Sequence, residues 1–254
     1  MRTSLMFARK EVHEILRTWR IYVLPSIVLL FAVTGPVVAK YTPQLLGAVA
    51  GSQLGFLHLP EPTAYDSYGQ WIKNLSQIVI FALIIIYGGI VSSERRSGTA
   101  VLVLTKPVSR AGFVAVKAVV HASYLAVLLM GGTLATWGLT AVVFGEAPAG
   151  ALWSSALVWL VMALAYLSLM TLYSVLIPSA AGAAGAGLGT FMAFSIGAIW
   201  KPLSDYSPAG LPERAAALAS GAKDAFPLWP VTSALVLSLA AVGLAATLFR
   251  RAEL

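Results

Sequence analysis

The sequence predicts an all-α polytopic membrane protein: six transmembrane helices preceded by a cytoplasmic amphipathic interfacial helix, with both termini cytoplasmic. Three observations carry this expectation. First, 59% of the 254 residues are hydrophobic and only 11% are charged, whereas a soluble domain has about 45–50% apolar and roughly 25% charged residues. Second, long stretches contain no Asp, Glu, Lys or Arg at all. Third, the basic residues fall unequally on the two sides of those stretches. The mean hydropathy of +0.84 agrees. Seventeen basic and ten acidic residues are too few to coat a soluble core, and a disordered chain needs the opposite composition. Cysteine is absent, which excludes disulfides, thiolate metal sites and a cysteine nucleophile.

The charge-free stretches are 21–39, 74–93, 118–145, 147–200 and 225–249. A bilayer crossing takes about 20 residues, so the fourth stretch is too long for one helix. Pro178 divides it, because proline lacks an amide donor and disfavours helix at the residue before it. The result is a single transmembrane domain, 1–254, with spans at about 21–39, 74–93, 115–143, 151–177, 183–200 and 229–249. The first apolar run is longer than a signal-peptide core and is read as a retained span. Segments 40–73 and 201–228 become extracytoplasmic loops, and 94–110 a cytoplasmic loop.

Six crossings put both termini on one side. Arg2, Arg9, Lys10, Arg17, Arg20, Arg95, Arg96, Lys106, Arg110, Lys117, Arg250 and Arg251 gather there. Lys40, Lys73, Lys201, Arg214 and Lys223 lie opposite. The excess of basic residues marks the cytoplasmic side. Trp71, Trp137, Trp153, Trp200 and Trp229 fall near the outer span ends, where an amphipathic indole favours the interface.

Residues 4–19 have helical periodicity. Leu5, Ala8, Val12, Ile15, Leu16 and Trp19 share an arc of about 100°, and Arg9, Lys10, Glu11, His13, Glu14 and Arg17 occupy the rest. Such a helix lies flat on a membrane, its basic side toward anionic lipid or a soluble partner. His13-Glu14 opens like a zinc-protease helix, but Arg17 stands where the second ligand belongs. With His58 and His121 in other segments, no metal-ligand spacing exists, and no metal site is expected.

The cytoplasmic loop is the most informative segment. The charged triplet Glu94-Arg95-Arg96 closes the second span, Ser97 can cap a short apolar helix, and Pro107 stops it. An apolar helix flanked by charges is more than two spans need as a connector; it offers a face to lipid or to a groove on a soluble protein. The run Glu94-Arg95-Arg96-Ser97-Gly98-Thr99, followed by Leu102, Leu104, Lys106-Pro107-Val108-Ser109-Arg110 and Lys117, resembles the ABC-2 type permeases. These are the membrane-spanning subunits of exporter-like ATP-binding-cassette transporters. The likeness extends in outline to the Ala8-Arg9-Lys10-Glu11 stretch and the six spans. The subgroup it resembles includes the permease of the nitrous-oxide-reductase maturation system.

The resemblance implies that the loop helix is a coupling helix seated in a cleft of an ATPase subunit. By position, Glu94, Arg95, Arg96, Gly98, Thr99, Lys106, Pro107 and Arg110 would form or flank that contact. It also implies two ATPase copies, which bind the ATP and Mg, and a second permease chain, an identical copy in the simplest case. Read alone, the same arginines would serve only as topology anchors.

The chain itself is expected to be no enzyme and to hold no cofactor. It lacks the phosphate-binding G-x-x-x-x-G-K-[ST] pattern. Its charge-free stretches contain no acidic or basic residue, with His121 the one titratable candidate, so ion-coupled transport lacks its usual groups. Ala181, Gly185 and Gly189 form a small-residue stripe on the fifth span, suited to close helix packing. The expected function is that of a permease subunit: a path for a lipid, peptide or hydrophobic compound, in the cell membrane (prokaryotic inner or plasma), contacting lipid and no nucleic acid. The alternative is mechanotransmission, or an assembly-factor permease, acting on an extracytoplasmic partner without moving a substrate.

Overall fold

A computed structural model describes residues 2–50, 61–99, 109–222 and 226–251. Every regular element among them is helical. Helix α1 is Arg2–Arg17, α2 Arg20–Ala50, α3 Ala64–Asn74, α4 Ile80–Tyr87 and α5 Ser92–Arg96. There follow α6 Arg110–Phe144, α7 Ala149–Leu176, α8 Ala180–Gly197, α9 Lys201–Tyr206, α10 Leu211–Ala219 and α11 Leu228–Arg251. Six helical stretches are long and apolar enough to cross a membrane: Ile21–Leu45, Ala64–Arg96, Arg110–Phe144, Ala149–Leu176, Ala180–Gly197 and Leu228–Arg251.

Local chemistry explains the ends. Ser109 caps α6, its Oγ accepting from the Gly112 amide at 3.0 Å, and Ser179 caps α8 by accepting from Gly182 at 3.2 Å. Ile177, extended ahead of Pro178, ends α7. The second span is irregular. A π-helical turn at Leu75–Val79 joins α3 to α4, and the helix opens between Tyr87 and Ser92. There Ser174 Oγ of α7 accepts from the Val91 and Ser92 amides at 3.0 and 2.9 Å, replacing bonds the broken helix has lost.

Helix α7 is the axis of the bundle: 78% of its apolar window is buried inside the chain, against 11% for α8. It packs on α11, α10, α6, α4 and α8. Most of α8 therefore turns outward.

Several local expectations are corrected here. The first span does not stop at Ala39. The helix runs through Lys40, whose ammonium reaches along the bundle to the Val143 carbonyl at 2.7 Å. The segments on the opposite side are partly helical, with α3 in the first and α9 and α10 in the second. Asp66 accepts from the Thr63 amide at 2.7 Å and starts α3. Helix α10 wedges against α7 and α3 with Leu211, Ala215 and Ala219 fully buried. Trp71 does not sit at an interface: it is completely buried and packs beside Val28 and Gly132. Trp137, Trp200 and Trp229 do remain exposed.

Candidate functional site

Helix α1, the short helix α5, the first turns of α6 and the last turn of α11 meet at one end of the bundle. Three rings join them. Phe113 of α6 stacks on Phe7 of α1, centroids 5.2 Å apart, and on Phe249 of α11 at 5.3 Å. Phe7, Glu11 and Ile15 recur every four residues, so one stripe of α1 faces the bundle and all three are buried. Leu5, Val12, Leu16 and Trp19, from the apolar arc, stay exposed.

Beside the stack lies a buried ionic cluster. Lys117 is fully buried, and its Nζ donates to Glu11 Oε2 at 2.7 Å and to Glu94 Oε1 at 2.5 Å. Lys10, at the rim, donates to Glu14 at 2.5 Å, Glu11 at 3.0 Å and Glu94 at 3.3 Å. His121, one turn beyond Lys117, has its Nε2 3.9 Å from Glu11 Oε2, and its ring stands edge-on to Tyr87. Burial pulls the Lys10 ammonium toward neutrality, but the bond to Glu14 and the fields of Glu11 and Glu94 outweigh it. Its pKa is raised above the ordinary lysine value.

Charges taken out of water this way are costly unless paired. Deleting Lys117 alone leaves the buried Glu11 and Glu94 carboxylates only the partly exposed Lys10 as a cation, at a cost of about 3–5 kcal/mol. Ligand oxygens of Glu11, Glu14 and Glu94 also lie within 4.8 Å of one another, a spacing that suits a metal ion. The ammonium groups of Lys10 and Lys117 already supply the positive charge there, and no metal role follows.

The residues singled out in the loop divide by direction. The Glu94 carboxylate points into the chain rather than outward. The arginines reach carbonyls at helix ends: Arg95 to Val175 at 3.4 Å, Arg96 to Pro178 at 3.1 Å and Arg110 to Arg250 at 3.3 Å. Cations there satisfy orphan acceptors and the negative end of the helix dipole. Gly98 has φ 72°, open space around it and an amide directed at the Arg95 carbonyl, which turns the chain out of α5. Thr99 Oγ1 lies 2.6 Å from Ser97 Oγ. Lys106 and Pro107, with most of the expected loop helix and His58, lie outside the described residues.

The stripe of Ala181, Gly185 and Gly189 is exposed, and a Cβ on either glycine would meet nothing. Gly187 of the same helix does pack within the chain, where a Cβ would meet Met170 Sδ and lie 2.8 Å from Ile84.

Sequence reasoning missed the cluster. It placed Glu11 on the polar face of its helix, counted Lys117 only among the basic residues of the cytoplasmic side, and treated the spans as free of ionised groups although the third, 115–143, includes Lys117. Helix α6 in fact begins at Arg110, so Lys117 lies seven residues inside it, roughly 10 Å along. A signal was present: Phe113, Val114, Lys117, Ala118, His121 and Leu125 follow one helical stripe, and all are buried.

Residues 5–206, from α1 through α9 and including the whole cluster, match the family model described as ABC-2 family transporter protein. No curated protein matches the chain. The matched region covers most of the sequence, and the six apolar helices make the protein a multi-pass membrane protein. The chain belongs to the ABC-2 transporter family.

Proposed function

We propose that the chain is the permease subunit of an ATP-binding-cassette transporter, with both termini in the cytoplasm and α1 lying at the inner membrane surface. The observation that carries the reading is the convergence at one end of the bundle. The loop that follows Glu94 starts from a helix end tied to α1 and α6, and the exposed Arg96 stands beside it. A push on such a loop is delivered to the N-terminal helix and the third span together. The chain hydrolyses no ATP; a separate ATPase, in two copies, binds ATP and Mg and presses on segment 94–110. A second identical permease chain packs on the open face of α8, where Gly185 and Gly189 leave room for close approach. The membrane is a prokaryotic inner or plasma membrane, and the cargo is a lipid, a peptide or a hydrophobic compound moved outward.

Purification of the tagged chain from native membranes in mild detergent tests this. The parent is expected to bring down an ATPase subunit, and Arg96→Glu to lose most of it while the chain itself stays folded. Absence of any ATPase from the parent preparation overturns the reading. Recovery of an extracytoplasmic protein in its place favours an assembly or mechanotransmission role.

A further inference from the structure

Lys117 has a geometry that membrane anchoring does not need. A basic residue that only marks the cytoplasmic side works equally well exposed to water. Here the ammonium is fully buried, and its two carboxylate partners come from two other elements: Glu11 on α1 and Glu94 on α5. Lys10 ties α1 to α5 a second time from the rim, and the ring of Phe113 lies 5.4 Å below the Lys117 ammonium. Apolar contact alone, such as Phe7 on Phe113, is non-directional and would hold the register of α1 on the bundle only weakly. Buried ion pairs do not slide. A shift of a few ångströms strands a charge in a medium that cannot solvate it. The arrangement therefore fixes register more than it adds stability.

We infer that Lys117 is a positioning residue: it locks α1, α5 and the first turns of α6 into one rigid lever, so that force on the loop after Glu94 moves all three without relative slip. The lever's use in transport rests on the ATP-driven reading above. The lock itself does not, and the two are tested separately.

The chain has no cysteine, so spin labels can be placed without background. Val12→Cys on α1 and Val119→Cys on α6 are both exposed. Their distance is measured by pulsed electron resonance on the full chain in phospholipid nanodiscs. The parent gives one narrow distribution. Lys117→Met adds a broad, longer component, and Lys117→Arg keeps the narrow one. Loss of stability in Lys117→Met would blur that reading, so the neutral triple variant Lys117→Met/Glu11→Gln/Glu94→Gln is the deciding one. It leaves no buried charge unpaired among the three, and it is expected to keep the parent's unfolding midpoint while its distance distribution broadens. A narrow distribution in that variant overturns the inference and leaves the aromatic stack as the holding contact. A collapse of its midpoint overturns it too, since the charges would then hold the fold rather than a register.

A second arm uses the complex with its co-purified ATPase, labelled at Val119→Cys and Val12→Cys. Adding ATP and Mg is expected to leave that distance unchanged in the otherwise native chain and to shift it in the triple variant. A shift in the native chain overturns the lever. If no ATPase co-purifies, the transport reading fails, while the first arm still decides whether Lys117 is the lock.

Discussion

Phe249 lies flat against Phe113, ring centroids 5.3 Å apart and planes 12° from parallel. The contact fastens the last helix, which lies beyond the family-matched region, to the third span at the end where α1 docks. Phe249 is fully buried, so Phe249→Ala should destabilise the chain by about 3–5 kcal/mol, the usual cost of a phenylalanine-sized cavity. Phe249→Leu should recover most of the loss. Unfolding in mild detergent measures both, and equal stability of Phe249→Ala and the parent would show that the stack contributes nothing.

Gly185 and Gly187 stand two residues apart and face opposite environments. A side chain at Gly187 collides with Met170 and Ile84 of neighbouring spans, whereas one at Gly185 enters open space. Gly187→Leu should therefore lower the chain's own unfolding midpoint; overpacking of this kind costs about 1–3 kcal/mol or more. Gly185→Leu should leave that midpoint unchanged and reduce pairing between chains, read by chemical cross-linking in membranes. Undiminished pairing would move the chain–chain contact off this face of α8.

Ser174 holds the break in the second span. Its hydroxyl accepts from two consecutive buried amides, Val91 and Ser92. Ser174→Ala leaves both without that partner, at about 1–3 kcal/mol for each stranded group. Hydrogen exchange should speed up at Val91 and Ser92 before it does in the rest of the second span. Unchanged protection at those two amides would assign the break to the Gly88-Gly89 backbone alone.

How much of this was legible in the sequence depends on whether a feature is local. The six spans could be read because each apolar run signals by itself, and the loop pattern pointed to the family that the comparison then showed. Pairings between distant segments left weaker traces. Glu11, Glu94 and Lys117 are separated by 83 and 23 positions, and each alone reads as an ordinary charge near a span end. Trp71 misled for the same reason: a tryptophan near a span end suits an interface, and only the position of Gly132 across from it shows that it is core. In the Pro107-x-Ser109-Arg110 spacing, the structure gives Ser109 the local task of capping α6, a role that needs no partner.

Lys10 supplies a prediction about pH. Its ammonium loses solvation on burial, yet Glu14, Glu11 and Glu94 together raise its pKa above the ordinary 10.5. For a cation whose folded pKa exceeds the unfolded one, the stabilisation is fully present below the unfolded value and disappears as pH climbs through the folded value. Docking of α1 should then be insensitive to pH from neutrality up to 10.5, and loosen only above it. Because the Lys10 side chain is 40% exposed, solvent screens the effect, and Lys10→Gln should weaken docking less than Lys117→Met does. The distance between labels at Val12 and Val119 reports both. Release of α1 at a pH below 10.5 in the parent, abolished by Lys10→Gln, would mean that the three carboxylates do not hold the Lys10 proton as this geometry requires.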